Sequence, residues 1–138
     1  MKNFKLKSVL VVLFLATALI SCSNDKDEDK GTTPVPTVKN ALVTEVKGPV
    51  TGKVNEELSY DVTFLVDNGC GEFNKFSDVT IGTEKGLQVE AKYSGEVCTQ
   101  QITEKKTVYK FKSTTKGTFD IKFKKSETEF VSLEVVIE

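Results

Sequence analysis

From Leu58 to the C-terminus, apolar residues recur at every second position. Leu58, Tyr60, Val62, Phe64 and Val66 alternate with Ser59, Asp61, Thr63, Leu65 and Asp67. The same pattern runs through Leu87, Val89, Ala91 and Tyr93, through Tyr109 and Phe111, through Phe119, Ile121 and Phe123, and through Val131, Leu133, Val135 and Ile137. Side chains two apart lie on one face of a strand, whereas a helix would scatter them around its axis. The pattern therefore predicts half-buried antiparallel strands and no helix in this part of the chain. Strands are expected near 41–47, 57–67, 76–82, 87–94, 97–102, 106–114, 117–124 and 130–138.

Turn residues punctuate these runs. Gly48-Pro49, Gly52, Asn68-Gly69, Gly82, Lys85-Gly86, Ser94-Gly95 and Lys116-Gly117 fall between apolar segments. Seven or eight short strands at this spacing predict an all-β fold, an immunoglobulin-like antiparallel β-sandwich over residues 39–138. Its core is expected at Phe64, Phe111, Phe119, Phe123, Leu133, Val135 and Ile137. Each such side chain contributes about 1.5–3 kcal/mol when fully buried.

The first 38 residues read differently. Lys2, Lys5 and Lys7 precede an apolar run from Val9 to Ile20. The run is shorter than the roughly 20 residues of a spanning helix and has the layout of a signal peptide, assigned to residues 1–21. It stops at Leu19-Ile20-Ser21-Cys22, which resembles the bacterial lipobox. The resemblance implies cleavage before Cys22 and a lipid thioether on its sulfur. Several acyl chains hold a protein stably at a membrane where a single one holds it marginally.

Residues 23–30, Ser-Asn-Asp-Lys-Asp-Glu-Asp-Lys, are too charged to join a core. They resemble the acidic export tether of Bacteroidetes-type surface lipoproteins, in which such a patch directs the protein to the outer face of the outer membrane. An Asp two positions after the Cys signals inner-membrane retention in some bacteria; Asn24 stands there. Pro34 and Pro36 favour an extended spacer, so residues 22–38 form a flexible tether ahead of the domain. The expected location is the cell envelope, on an outer membrane and facing the exterior.

Cysteine arithmetic follows. Of three Cys, the lipidated Cys22 leaves Cys70 and Cys98, an even remainder that in an exported protein predicts a disulfide. The stretch Asp67 to Asp78 gathers acids, amides and glycines, but without the spacing of an EF-hand, and reads as a loop. Two readings stand for its Phe73 and Phe76: a cap on the core, or an exposed contact loop on a rigid scaffold.

Composition narrows the chemistry. The sequence has no His, and all 19 of its basic residues are Lys, against 20 Asp and Glu, for a net charge of −1. Lack of His removes the Ser-His and Cys-His nucleophile pairs and the imidazole metal ligand. Lack of Arg removes the bidentate clamp on phosphate or carboxylate. A near-neutral chain has no basic footprint for nucleic acid. The Lys-rich segments from Lys105 to Lys125 alternate with apolar residues as solvated strand faces do. The carboxylate pairs Glu56-Glu57 and Glu127/Glu129 read as surface charge. No catalytic residue, metal site or cofactor is therefore expected, and the chain is not expected to be an enzyme.

What remains is a membrane-tethered, non-catalytic binding or accessory module, with a cell-envelope protein or a glycan as its partner. A second reading comes from Gly117 to Phe123, where the G-T-F-x-I-x-F step is similar to chagasin-type cysteine-protease inhibitors, which are also immunoglobulin-like sandwiches. That family carries an N-P-T-T-G-like loop and a Trp-containing strand. This chain has Gly48-Pro49-Val50-Thr51-Gly52 and no Trp.

Overall fold

The computed structural model describes residues 35–138. The signal segment, Cys22 and the tether up to residue 34 lie outside the described residues. Nine strands appear among the described residues, in two sheets and without a helix. They are β1 (Thr37–Ala41), β2 (Val43–Lys47), β3 (Thr51–Gly52), β4 (Glu57–Val66), β5 (Gly71–Ile81), β6 (Glu84–Tyr93), β7 (Thr103–Lys112), β8 (Gly117–Lys124) and β9 (Phe130–Ile137). The all-β sandwich expected from the alternation is the architecture observed, with nine strands in place of seven or eight.

The smaller sheet has the order β2-β4-β7. In β4 every second residue from Leu58 to Val66 is buried, as the period requires. The larger sheet contains β1, β6, β8, β9 and β3 in that order, with β5 on the free side of β6. The long pairs are antiparallel, including the hairpins β5–β6 and β8–β9. Two pairings are parallel: β3 with β9, and β6 with β8 at the single pair Leu87 and Phe123. The second edge of β6 is thus divided. Its N-terminal half meets β8, and residues from Val89 to Tyr93 pair with β1.

The core lies between the sheets. Tyr60, Val62, Phe64, Val89, Phe123 and Val135 are fully buried, with Ile121 and Ile137 nearly so. Phe111, Phe119 and Leu133 are half-buried and pack against this cluster.

Several expectations are corrected. The single strand over 41–47 is two strands that switch sheets at Leu42, whose carbonyl accepts a 3.0 Å hydrogen bond from the Leu65 N–H. The first strand begins at Thr37, two residues before the expected domain start. Lys85-Gly86 lies inside β6; the hairpin turn is Gly82-Thr83, where Gly82 has a φ of 61° that suits glycine. Residues 97–102 form no strand. Val97 and Ile102 stay exposed there, and the segment is tied through Thr99 to the Gly69 N–H of a turn rather than to a strand.

The largest correction concerns Asp67 to Asp78. The strand expected from 76 begins at Gly71 as β5, so Gly71 to Lys75 are strand and not loop. A bulge between Phe73 and Lys75 shifts the register. Phe73 and Phe76, three residues apart, therefore both face the core, which hides the strand from a period-two reading.

Candidate functional site

One end of the sandwich is organised by Cys70 and Cys98. The turn from Asp67 to Cys70 links β4 to β5, and the segment 94–102 links β6 to β7. Their two sulfurs are bonded, with the Cα atoms 5.4 Å apart. The turn is also ordered from within: Asn68 Oδ1 accepts the Cys70 N–H at 3.0 Å, and the Asn68 carbonyl accepts the Gly71 N–H at 3.2 Å. The Gly69 N–H donates to both the carbonyl and the hydroxyl of Thr99, each at 3.2 Å. The segment 94–102 is therefore held against the scaffold although it belongs to neither sheet. It presents Val97 at 93% exposure, with Ile102 at 68%.

Charge and aromatic contacts reinforce this end. Lys39 of β1 pairs with Asp67 at 2.8 Å and lies 5.2 Å over the Tyr93 ring. The hydrogen bond to Asp67 and its negative charge hold the Lys39 ammonium above its ordinary pKa. The Tyr93 hydroxyl accepts the Asp67 N–H at 2.9 Å. Beside these residues, Leu42, Leu65, Ile102 and Glu127 line a groove of about 290 Å³.

Phe73 and Phe76 do not form an exposed contact loop. Their ring centroids lie 4.8 Å apart. Phe73 stacks towards Phe64, and Phe76 meets Tyr109 edge-on at 5.3 Å and Phe123 at 5.6 Å. Of the two readings of these residues, the structure favours the cap: both are half-buried and pack against the core.

A second concave region was not foreseen. A cleft of about 220 Å³ opens between the two sheets, bordered by Leu87 of β6, Ile121 of β8 and the Tyr109 and Phe111 side chains of β7. Asp78, Lys85, Asp120 and Lys122 also line it. Lys122 pairs with Glu84 at 3.1 Å; among the described residues Asp78, Lys85 and Asp120 have no ion-pair partner. Burial, and then the charge of Asp78, hold the Tyr109 phenol above its ordinary pKa. Tyr60 and Tyr93 direct their hydroxyls at backbone groups, whereas Tyr109 has no hydrogen-bond partner for its hydroxyl among the described residues. The cleft escapes sequence reading because four strands supply its residues and no motif links them.

The remaining polar groups are structural. Glu57 pairs with Lys110 at 2.7 Å, a contact that lowers the Glu57 pKa, and Glu56 accepts the Lys53 N–H at 2.8 Å. The segment Gly48 to Gly52 is tied to the sheets by Tyr60 and by pairing of β3 with β9. Among the described residues no group of three His, Cys, Asp or Glu is placed to hold a metal ion.

Comparison with known proteins adds the family. No curated protein and no solved structure matches the chain. The model of the ORF11 beta-sandwich domain matches residues 60–132, just over half of the 138 residues, from within β4 to within β9. This span contains both cysteines of the disulfide and every residue of the cleft. With its two sheets, its disulfide and this match in place, the chain belongs to the ORF11 beta-sandwich domain family.

Proposed function

We propose that this protein is a lipid-anchored, non-catalytic binding or accessory module of the cell envelope, held at the outer membrane and facing outward. The observation that carries the binding role is the segment 94–102. The Cys70–Cys98 disulfide and Gly69 fix it, yet it exposes Val97 and Ile102. Loops positioned by a rigid scaffold are where contact residues concentrate, and this segment is such a loop. The anchor rests on Leu19-Ile20-Ser21-Cys22 and the acidic stretch that follows. A disulfide fits an oxidising compartment. The lack of His and Arg leaves few routes to catalysis.

Labelled palmitate fed to cells that produce the full chain tests the anchor. Label should enter the wild type and be lost in Cys22→Ser, which should also leave the membrane fraction. Label retained in Cys22→Ser would overturn the assignment of Cys22. The binding role is tested by cross-linking on intact cells. A cell-envelope partner captured by the wild type should be lost in Val97→Asp, and equal capture by both would remove segment 94–102 from the contact.

A further inference from the structure

Exposed apolar side chains gather at one end of the sandwich. Eight large hydrophobic side chains are exposed among the described residues. Five of them, Val35, Val38, Leu42, Val97 and Ile102, lie at the end where the chain enters the domain. The registers fix this placement. Thr37, the first residue of β1, stands opposite Tyr93, the last residue of β6, and Val38 stands opposite Lys92. Val97 and Ile102 belong to the segment that follows Tyr93, and Thr103 after it pairs with Val66, the last residue of β4. Leu42 shares a groove with Ile102 and Asp67. A cluster of exposed apolar groups marks a surface that meets a protein or a membrane.

What this end meets follows from where the chain leads. Thr37 follows Cys22 by fifteen residues. Fully extended, that length spans at most about 50 Å. With lipid on Cys22, a bilayer surface is always within reach of this end, and tethering gives it a high effective concentration. A weak contact is then enough, and its strength grows with the apolar area it buries. The exposed side chains come from separate stretches: the start of the domain through β1, the corner at Leu42, and segment 94–102. A fluid surface accepts such projections without a matching shape. Charge does not oppose the contact, since Lys39 pairs with Asp67 and Lys124 pairs with Glu127. Glu96, next to Val97, resists burial and keeps the contact shallow, at the level of the head groups.

We propose that segment 94–102 and Leu42 rest on the lipid surface that holds the anchor, with Val97 and Ile102 inserted among the head groups. This names lipid as what the contact segment meets, and it rests on the reading of Cys22 as the anchor.

Because the sequence has no Trp, a single introduced Trp reports its own surroundings. The test uses the lipidated full chain, disulfide intact, in vesicles of phosphatidylethanolamine and phosphatidylglycerol with plain or brominated acyl chains. Val97→Trp and Ile102→Trp should lose fluorescence in the brominated vesicles relative to the plain ones. Val50→Trp should not. Val50 is also exposed, but its carbonyl accepts the Val136 N–H near Gly117, whereas the groove at Leu42 lies beyond the other end of β8, beside Glu127. Adding Val97→Asp to Ile102→Trp should remove most of the quenching, and thermal melts verify that each variant folds. Absence of quenching at 97 and 102 in chain that floats with the vesicles, or equal quenching at 50, 97 and 102, would overturn the contact and leave the anchor standing. Chain that stays off the vesicles would overturn both. Unquenched reporters together with a cell-envelope protein cross-linked by the wild type and lost in Val97→Asp would overturn the lipid contact and give segment 94–102 a protein partner instead.

Discussion

The Tyr60 hydroxyl donates a 3.0 Å hydrogen bond to the carbonyl of Pro49. The ring is fully buried on β4, while Pro49 lies in the connection between β2 and β3. One side chain thus fills the core and fastens the strand-to-strand connection. Gly48 makes room for it, since a Cβ there would overlap the Tyr60 ring. Tyr60→Phe should keep the packing and lose the bond, at a cost of about 1 kcal/mol in urea denaturation. Gly48→Ala should cost more, because it displaces the ring itself. Equal stability of wild type and Tyr60→Phe would mean that the bond adds nothing to the fold.

Reducing Cys70–Cys98 should separate stability from local order. The two residues are 28 apart in sequence, and closing such a loop removes about 3–4 kcal/mol of denatured-state freedom in the chain-entropy model. The disulfide supports little of the core, because segment 94–102 lies outside both sheets. The Cys70→Ser/Cys98→Ser double variant should therefore remain folded with its β-sheet circular dichroism intact. Its urea midpoint should fall, and the amides of 94–102 should exchange faster. Loss of the sheet signal itself would show that the disulfide is needed for the fold.

These residues also show which features were legible in the sequence. The strand from Gly117 to Lys124 was readable to the residue, because regular alternation and a preceding glycine coincide there. Phe64, Phe123, Val135 and Ile137 were legible as core for the same reason. The disulfide followed from counting, once Cys22 was set aside. The second half of strand β5 was legible as the run from 76, but its first half was missed because a bulge puts Phe73 and Phe76 on one face at a spacing of three. The sheet switch at Leu42 left no mark, since alternation records faces and not partners. The cleft was invisible for a related reason. Asp78, Lys85, Tyr109 and Asp120 meet only through tertiary packing, and each alone is an ordinary strand residue.

Gly71 opens β5 opposite Tyr93, and its Cα faces the core. A Cβ there would lie 2.6 Å from Val66 Cβ and 2.7 Å from Tyr93 Cε1. Val66 is 1% exposed, and its Cβ is fixed by its backbone, so this contact cannot be relieved by rotation. Gly71→Ala should therefore destabilise by about 1–3 kcal/mol, as overpacking does. Gly82→Ala meets no atom within 4 Å but places alanine at a φ of 61°, so its cost should come from the backbone alone, about 1 kcal/mol. Comparing the two urea midpoints checks the ranking, and a Gly82→Ala loss larger than that of Gly71→Ala would contradict the packing argument.

Phe123 is fully buried and meets Tyr109 edge-on at a centroid distance of 5.3 Å. It also forms the single pair that joins β6 to β8, opposite Leu87. Phe123→Ala should cost about 3–5 kcal/mol. Phe119, half-buried and packed on Phe111 at 5.4 Å, should cost clearly less when cut to alanine. Thermal melts of the two variants test the order, and equal losses would show that the divided edge of β6 does not depend on Phe123.

The two tyrosines of β4 and β7 make the fold sensitive to alkali. Tyr60 and Tyr109 both ionise above the ordinary tyrosine value of 10.0. Burial is the first cause for each; the neighbouring Tyr109 adds to it for Tyr60, and Asp78 adds to it for Tyr109. A phenol whose pKa is raised by folding stays protonated in the folded chain at a pH where the unfolded chain has released its proton. The folded state then binds more protons, so rising pH favours unfolding. The contribution is complete below pH 10.0 and is lost as the pH climbs through the raised folded values. In a Tyr93→Phe background only these two tyrosines report. Their tyrosinate absorbance should rise above pH 10.0, together with loss of β-sheet signal. Asp78→Asn should shift the Tyr109 part of the rise to lower pH, because the charge that adds to burial in opposing its ionisation is gone. A titration unchanged by Asp78→Asn would mean that burial alone sets the Tyr109 pKa.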